Sequence, residues 1–221
     1  YFLGVAPSFD GNSADPAMQD ARPDKNNRYA ALPDNILLVQ RIREQLGGLT
    51  LVRKDANCRN VSRCLLSARF ALFITHGQGN EHSGQASHLV LADTNAAGGY
   101  APLYAWALFN WNVAADLVML DACETHVGDY QRGVGIINLN LGFTCAGARS
   151  VISTLWSIYD QPSNELTENF CRRLCPLFFA PPKDEALREI KLSMLADNKK
   201  AHPVYWGAFV AYGDMAPMPA R

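Results

Sequence analysis

A histidine and a cysteine 47 positions apart, His76 and Cys123, each follow a short run of strand-forming residues. The run FALFIT leads into His76 and Gly77, and the run DLVML leads into Asp121, Ala122 and Cys123. A thiol beside an imidazole suits acyl transfer, because the base helps generate the nucleophile and then protonates the leaving amine. Gly77 lets its backbone N–H approach a developing oxyanion, and the Cys123 N–H is the natural second donor. The expected chemistry is attack of Cys123 on a carbonyl, with His76 moving the protons.

Other groupings of reactive residues read as structural. His82, His88 and His126 do not stand with His76 at the tight spacings of a zinc site, so no metal is expected. The cysteines at 58, 64, 123, 145, 171 and 175 contain no CxxC pair, which argues against zinc and thioredoxin chemistry. Cys171 and Cys175 lie one helical turn apart and are read as packing, and Cys145 is placed in apolar or helical surroundings. Gly128, Gly133 and Gly135 are not followed by the Lys-Ser/Thr of a phosphate loop, and are read as a mobile loop beside the nucleophile. Glu124 is read as solvated or as shaping the turn. The chemistry requires no cofactor.

Positioning such a pair takes a framework, and brief apolar runs alternating with amphipathic segments describe a mainly parallel sheet covered by helices on both faces. Strands are expected at Phe2 to Ala6, Leu49 to Arg53, Phe70 to Thr75, Leu117 to Asp121, Ser150 to Leu155 and Phe209 to Tyr212. Helices are expected from an Asp34 N-cap to Gly47, and over 58–67, 135–146, 161–178 and 183–196. In the last, Leu187, Ile190, Leu192 and Leu195 recur on roughly one face. Gly11 to Asn27, and Gly77 to Gly99 apart from SHLVLAD, read as exposed loops. In an open parallel sheet, ligands bind beyond the carboxyl ends of the strands, where His76 and Cys123 both fall.

The 221 residues suit one α/β domain with a single large core. Twenty basic and twenty-one acidic residues leave a formal charge of −1, so no global field recruits nucleic acid or an anionic membrane. No apolar run is long enough to span a bilayer. The unpaired thiols suggest a reducing, cytoplasmic location. The start at Tyr1, without the features of a secretory signal, suggests a fragment of a longer chain.

The segments FITHGQG, SHLVLAD, DLVMLDACETHVGD, GVGIINLNLGFTCAGARSVISTLWSIYD and HPVYWGAFVAYGD resemble, in order and rough spacing, the CHAT proteases, which are caspase-like domains usually joined to tetratricopeptide repeats. The separase catalytic domain is similar. The resemblance covers nearly the whole chain, including the opening FLGVAPSF. It implies a three-layer α/β/α sandwich of the caspase type, with His76 and Cys123 as catalytic residues and main-chain amides at Gly77 and Cys123 as the oxyanion hole. The His-to-Cys spacing also agrees with a caspase pattern of about 50 residues.

The same resemblance implies an acidic specificity pocket. Asp160, in STLWSIYD, matches the acidic residue of separase-like relatives, and Asp121 matches that of metacaspase-like relatives. A carboxylate there would make a charge-assisted contact to a basic side chain, so cleavage after Arg, or less often Lys, is expected. Asp160 could equally cap the helix that follows, and Asp121 could bond loop amides. The sequence departs from CHAT relatives at Thr75, where Cys or a small residue is common, and at INLNLGF in place of a GLARAF-type run. Members of this clan often work as a dyad, with a backbone carbonyl orienting the imidazole. The implied partners are a protein or peptide substrate and a tetratricopeptide-type regulatory region. Two rival readings are a silent scaffold that binds a partner and a hydrolase of small thioesters or amides.

Overall fold

Strands apolar on both faces must be covered on both, and the alternation of side chains shows how that happens here. The structure is a computed structural model describing residues 1–9, 29–32, 34–96, 98–132, 135–174 and 180–218, with Asp160 described in its backbone only. Along the chain run β1 (Phe2–Ala6), α1 (Asn35–Leu46), β2 (Leu49–Val52), α2 (Cys58–Leu65), β3 (Phe70–Ile74), β4 (Gly77–Gln78), β5 (His88–Ala92) and β6 (Tyr100–Tyr104). There follow α3 (Ala105–Leu108), β7 (Leu117–Asp121), β8 (Asp129–Gln131), β9 (Gly135–Ile137), α4 (Leu139–Cys145), β10 (Ser150–Thr154), α5 (Asp160–Leu174), α6 (Lys183–Ala196) and β11 (Phe209–Gly213).

The central sheet has the order β11-β10-β7-β3-β1-β2, with only β11 antiparallel to its neighbour. Leu3, Val5, Ala71, Phe73, Val118, Leu120 and Val151 face one core, built with α2, α3, α4 and the small β4-β5-β6 sheet. Their neighbours Phe2, Ala6, Phe70, Leu72, Ile74, Leu117, Met119 and Ile152 face the other core, with α1, α5 and α6. This period of two gives the expected three-layer α/β/α sandwich. Among the described residues no helix is long and apolar enough to cross a membrane.

A linked group of charges, with Asp116 and Lys183 buried, lies at the end of the sheet away from His76 and Cys123. Asp116, at the start of β7, binds Arg69 and Arg149, and Arg149 reaches Asp214 at 2.6 Å. The buried Lys183 Nζ donates to the Asp214 carbonyl at 2.8 Å. Together these contacts fasten α6 and the end of β11 to the sheet.

Several local expectations need correction. The segment expected as a helix over 135–146 opens instead with β9, and α4 starts only at Leu139, where Asn138 Oδ1 accepts the Leu141 N–H at 3.1 Å. β9 pairs with β8 as a hairpin, so an ordered hairpin rather than a glycine loop follows the nucleophile turn; Gly133 lies outside the described residues. The stretch from Gly77 contains β4 and β5, and with β6 these make a second sheet that short apolar runs did not announce.

The Asp34 side chain makes no cap bond; α1 is anchored by Asn35, whose Nδ2 donates to Pro7 O at 2.8 Å. On α6 the core face is Ala186, Leu187 and Met194, while Leu192 and Leu195 point outward. Cys145 is exposed. The expected loop from Gly11 to Asn27 and Cys175 lie outside the described residues.

Candidate active site

β3 and β7 are hydrogen-bonded neighbours in parallel register, with Ile74 opposite Asp121. His76 and Cys123 each stand two residues past that last rung. Neighbouring strands lie about 4.8 Å apart, so the register brings the main chain carrying the imidazole and the main chain carrying the thiol to the same edge of the sheet. The two turns stay in contact beyond the strands. A Cβ built on Gly77 would meet the Cys123 carbonyl oxygen at 2.8 Å, Thr125 Cγ2 at 3.0 Å and Ala122 Cβ at 3.1 Å. Gly77 is therefore glycine because the nucleophile turn occupies the space of a side chain.

The hydrogen bonding of β4 leaves the Gly77 amide available. The Val90 N–H donates to His76 O at 2.9 Å, so His76 and Val90 form a hydrogen-bonded antiparallel pair. Such pairs alternate, which makes Gly77 and Leu89 a non-hydrogen-bonded pair and turns the Gly77 N–H away from β5.

His76 is 2% exposed and its Nε2 lies 2.8 Å from the Ala30 carbonyl oxygen. That acceptor selects the tautomer with hydrogen on Nε2, leaving the Nδ1 lone pair as the base. Burial pulls the His76 pKa below its usual value, and the Ala30 bond partly opposes this. The ring lies against Phe9 and Tyr29.

Cys123 is 7% exposed and carries a free thiol. Burial pushes its pKa up. Hydrogen bonds from the Ile158 backbone and the Ser157 side chain act the other way, while Glu124 and Asp121 add to the rise.

The turn carrying the thiol is tied down on its far side. Glu124 takes a left-handed conformation at φ 53°, which costs a side-chain-bearing residue about 1 kcal/mol. This fits the turn-shaping role read for it. The Thr154 hydroxyl binds Ala122 O, the Thr154 N–H donates to Thr125 Oγ1 at 2.9 Å, and the His126 N–H donates to Thr154 O at 2.9 Å. His126 O accepts Asn138 Nδ2 at 2.7 Å, and its Nδ1 lies 2.9 Å from Asn140 Nδ2. Asn140 Nδ2 also reaches Ser153 Oγ at 2.9 Å, whereas the buried Asn140 Oδ1 has no partner. Burial lowers the His126 pKa.

Asp121 points to the α5 side of the sheet, is 4% exposed and accepts the Thr167 hydroxyl at 2.7 Å. Asp160 is the first residue of α5, one residue earlier than expected, and its side chain lies outside the described residues. The histidines at 76, 82, 88 and 126 form no group that could hold a metal among the described residues. Sequence reasoning missed the Ala30 carbonyl, because a main-chain acceptor leaves no signature. It missed Phe9 and Tyr29 because neither lies near His76 in the chain, and it missed Ser157 and Asn140 because hydroxyls and amides are too common to stand out.

The CHAT domain family matches residues 10–214. Among solved structures, the complex of Porphyromonas gingivalis RgpB pro- and mature domains is similar at TM-score 0.59 and 11% identity, over 98% of this chain and 47% of that one. The Arg-specific cysteine proteinase gingipain R is similar at 0.55 and 10%, over 98% and 46%. The Saccharomyces cerevisiae separase–securin complex is similar at 0.53 and 11%, over 79% of this chain and 11% of that one. These are likenesses of fold, that of caspase-like cysteine proteases, and the chain spans under half of each similar structure. No curated protein matches the sequence.

Proposed function

The chain belongs to the CHAT domain family, and we propose on that footing that it is a cysteine endopeptidase cleaving protein substrates after Arg, or less often Lys. The observation that supports the reading is the parallel pairing of β3 and β7, which ends two residues before His76 on one strand and two before Cys123 on the other.

In this mechanism His76 Nδ1 takes the Cys123 proton as the sulfur attacks the scissile carbonyl. The oxyanion is received by the N–H groups of Gly77 and Cys123. His76 then gives the proton to the leaving amine and the C–N bond breaks, leaving a thioester. Water adds to the thioester with His76 again as base, and collapse releases the new carboxyl end and the thiol. The Ala30 carbonyl stands in the place of a third catalytic side chain.

Specificity rests on Asp121 and Asp160. The buried Asp121 carboxylate accepts the Thr167 hydroxyl, and a carboxylate at a strand end is the group that makes a charge-assisted contact to a guanidinium. The similarity to an Arg-specific proteinase supports this choice. We assign the chain as one peptidase domain of a longer cytoplasmic protein, regulated by a tetratricopeptide-type region. The free thiols of Cys58, Cys64, Cys123, Cys145 and Cys171 fit a reducing compartment.

The competing scaffold reading draws on the burial of both reactive groups. Labelling with an arginyl chloromethyl ketone separates the two. Alkylation confined to Cys123 and slowed 10²- to 10⁴-fold, on the order expected for a lost base, in His76→Ala supports the peptidase. A fluorogenic panel in which Asp outperforms Arg before the scissile bond would refute the specificity, and absence of any labelling would refute the activity.

A further inference from the structure

Three aromatic rings and one imidazole share a closed cluster beside the sheet edge. The Tyr29 ring is stacked on His76, with centroids 5.4 Å apart and planes at 27°. Phe9 meets the same imidazole at 4.6 Å and 70°. Phe9 and Tyr29 lie 5.9 Å from each other, and Tyr100 backs both, at 5.0 Å and 5.8 Å. Phe9 is 7% and Tyr29 9% exposed, so these rings are core residues of their own small cluster.

Two physical demands fall on His76 if it is the base. Its plane must be fixed, and a single hydrogen bond at Nε2 leaves the ring free to swing about that contact. It must also carry a positive charge between the two proton transfers, in a site where burial disfavours that charge. The causes of its lowered pKa are burial and, opposing it, the Ala30 carbonyl. The carboxylates of Asp121 and Glu124 act on Cys123 instead. Among the described residues of this aromatic cluster, the titratable groups besides His76 are the phenols of Tyr29 and Tyr100.

We propose that Phe9 and Tyr29 are positioning residues for His76: their rings fix the imidazole plane so that Nδ1 meets Cys123, and their π faces stabilise the imidazolium formed during turnover. The proposal rests on His76 being the general base. Tyr29 and Ala30 are adjacent, so a single dipeptide supplies both the stacked face and the Nε2 acceptor. An aromatic face within about 6 Å of a cation is attractive, and most so when water is excluded. The separations here fall inside that limit.

The test is a histidine titration by NMR in a Cys123→Ala background, with the His76 signal identified by its loss in His76→Gln. Tyr29→Leu keeps the site apolar but removes the π face, and His76 is expected to titrate about one pH unit lower, about 1.4 kcal/mol. Tyr29→Phe should titrate with the parent. In the protein with Cys123 intact, Tyr29→Leu should reduce kcat about tenfold while KM stays within twofold. An unchanged or raised His76 titration overturns the proposal, as does a fall in melting temperature without any movement of that titration. If Tyr29→Leu does not fold, Phe9→Leu carries the same expectation from the other flank. Should the parent show no proteolysis at all, the endopeptidase reading fails, while the titration still decides whether the rings act on His76.

Discussion

The Nε2 atom of His76 and the carbonyl oxygen of Ala30 lie 2.8 Å apart, which commits one imidazole nitrogen to the main chain and leaves Nδ1 as the nitrogen able to accept a proton. A backbone acceptor fixes tautomer and orientation as a carboxylate would, without placing a negative charge beside the base. Burial favours the neutral imidazole and pulls its pKa down, and the Ala30 bond opposes this only in part. The following expectations proceed from this arrangement.

Replacing Gly77 by Ala should remove most activity. The added methyl would press on the Cys123 carbonyl oxygen and on Thr125 and Ala122, all held by the strand-end hydrogen bonds. A loss of about 1–3 kcal/mol in urea unfolding is expected from overpacking of this kind, together with a kcat loss of about 10²-fold or more, on the scale of losing an oxyanion-hole donor. A variant of full kcat would remove Gly77 from the oxyanion hole.

The pH profile of kcat/KM should be broad. The reactive form has His76 neutral and the Cys123 proton in place. Burial lowers the first pKa and raises the second, so both limbs move outward. Activity should rise with a midpoint below the ordinary histidine value of about 6.5 and fall only above the ordinary thiol value of about 8.5. A bell narrower than those two values would contradict the assignment.

Mild acid should destabilise the fold well above the carboxylate range. His76, His88 and His126 are each lowered mainly by burial. A histidine whose folded pKa lies below its unfolded one leaves stability intact above about pH 6.5. Below that, the unfolded chain binds the extra proton and stability falls until the folded pKa is passed. Each pH unit of depression removes up to about 1.4 kcal/mol at the buried His76, and less at the half-exposed His126, where solvent screens the effect. Urea midpoints measured from pH 7.5 to 5.5 should therefore decline, and His126→Gln should flatten part of the slope.

Asn140→Ala should loosen the nucleophile turn from below. It removes the donor shared by His126 Nδ1 and Ser153 Oγ but also removes an unsatisfied carbonyl oxygen. The net cost should therefore sit near the lower end of the usual range of about 1–3 kcal/mol for a buried polar partner. A calorimetric comparison of the two proteins gives this difference directly, and a loss above about 4 kcal/mol would mean the unpaired oxygen is not a liability.

What the sequence made legible was whatever repeats or alternates. The strands β1 and β7 fall at their expected limits, and α6 does too, because apolar periodicity is written directly in residue order. That His76 and Cys123 each follow a strand was legible from such runs, and β3 and β7 are parallel neighbours. Two-residue β4 and three-residue β8 and β9 are too short to show a period, so the hairpin stayed hidden; of the second sheet, β5 lies in the SHLVLAD run set apart from the loop, while β6 holds Pro102 and buries only Leu103. The expected helix start at Gly135 falls instead on a residue at φ 100°, which opens β9. The Ala30 contact was invisible for a different reason: it depends on where a main-chain oxygen comes to rest, 46 positions from the ring it binds.

Because His76 and Cys123 both stand two residues past the paired strands β3 and β7, the separation of their main chains is governed by strand spacing and not by the length of chain that loops out between them. Within the excursion from Gln78 to Asp116, Val90 bonds His76 O and Tyr100 backs Phe9 and Tyr29, so those strand positions are fixed, whereas the connection between β5 and β6 could lengthen, shrink or be exchanged without disturbing either contact. Such an insulated detour is where new docking features can accumulate over evolutionary time, and where a protein engineer could graft a sensor while leaving the catalytic pair untouched.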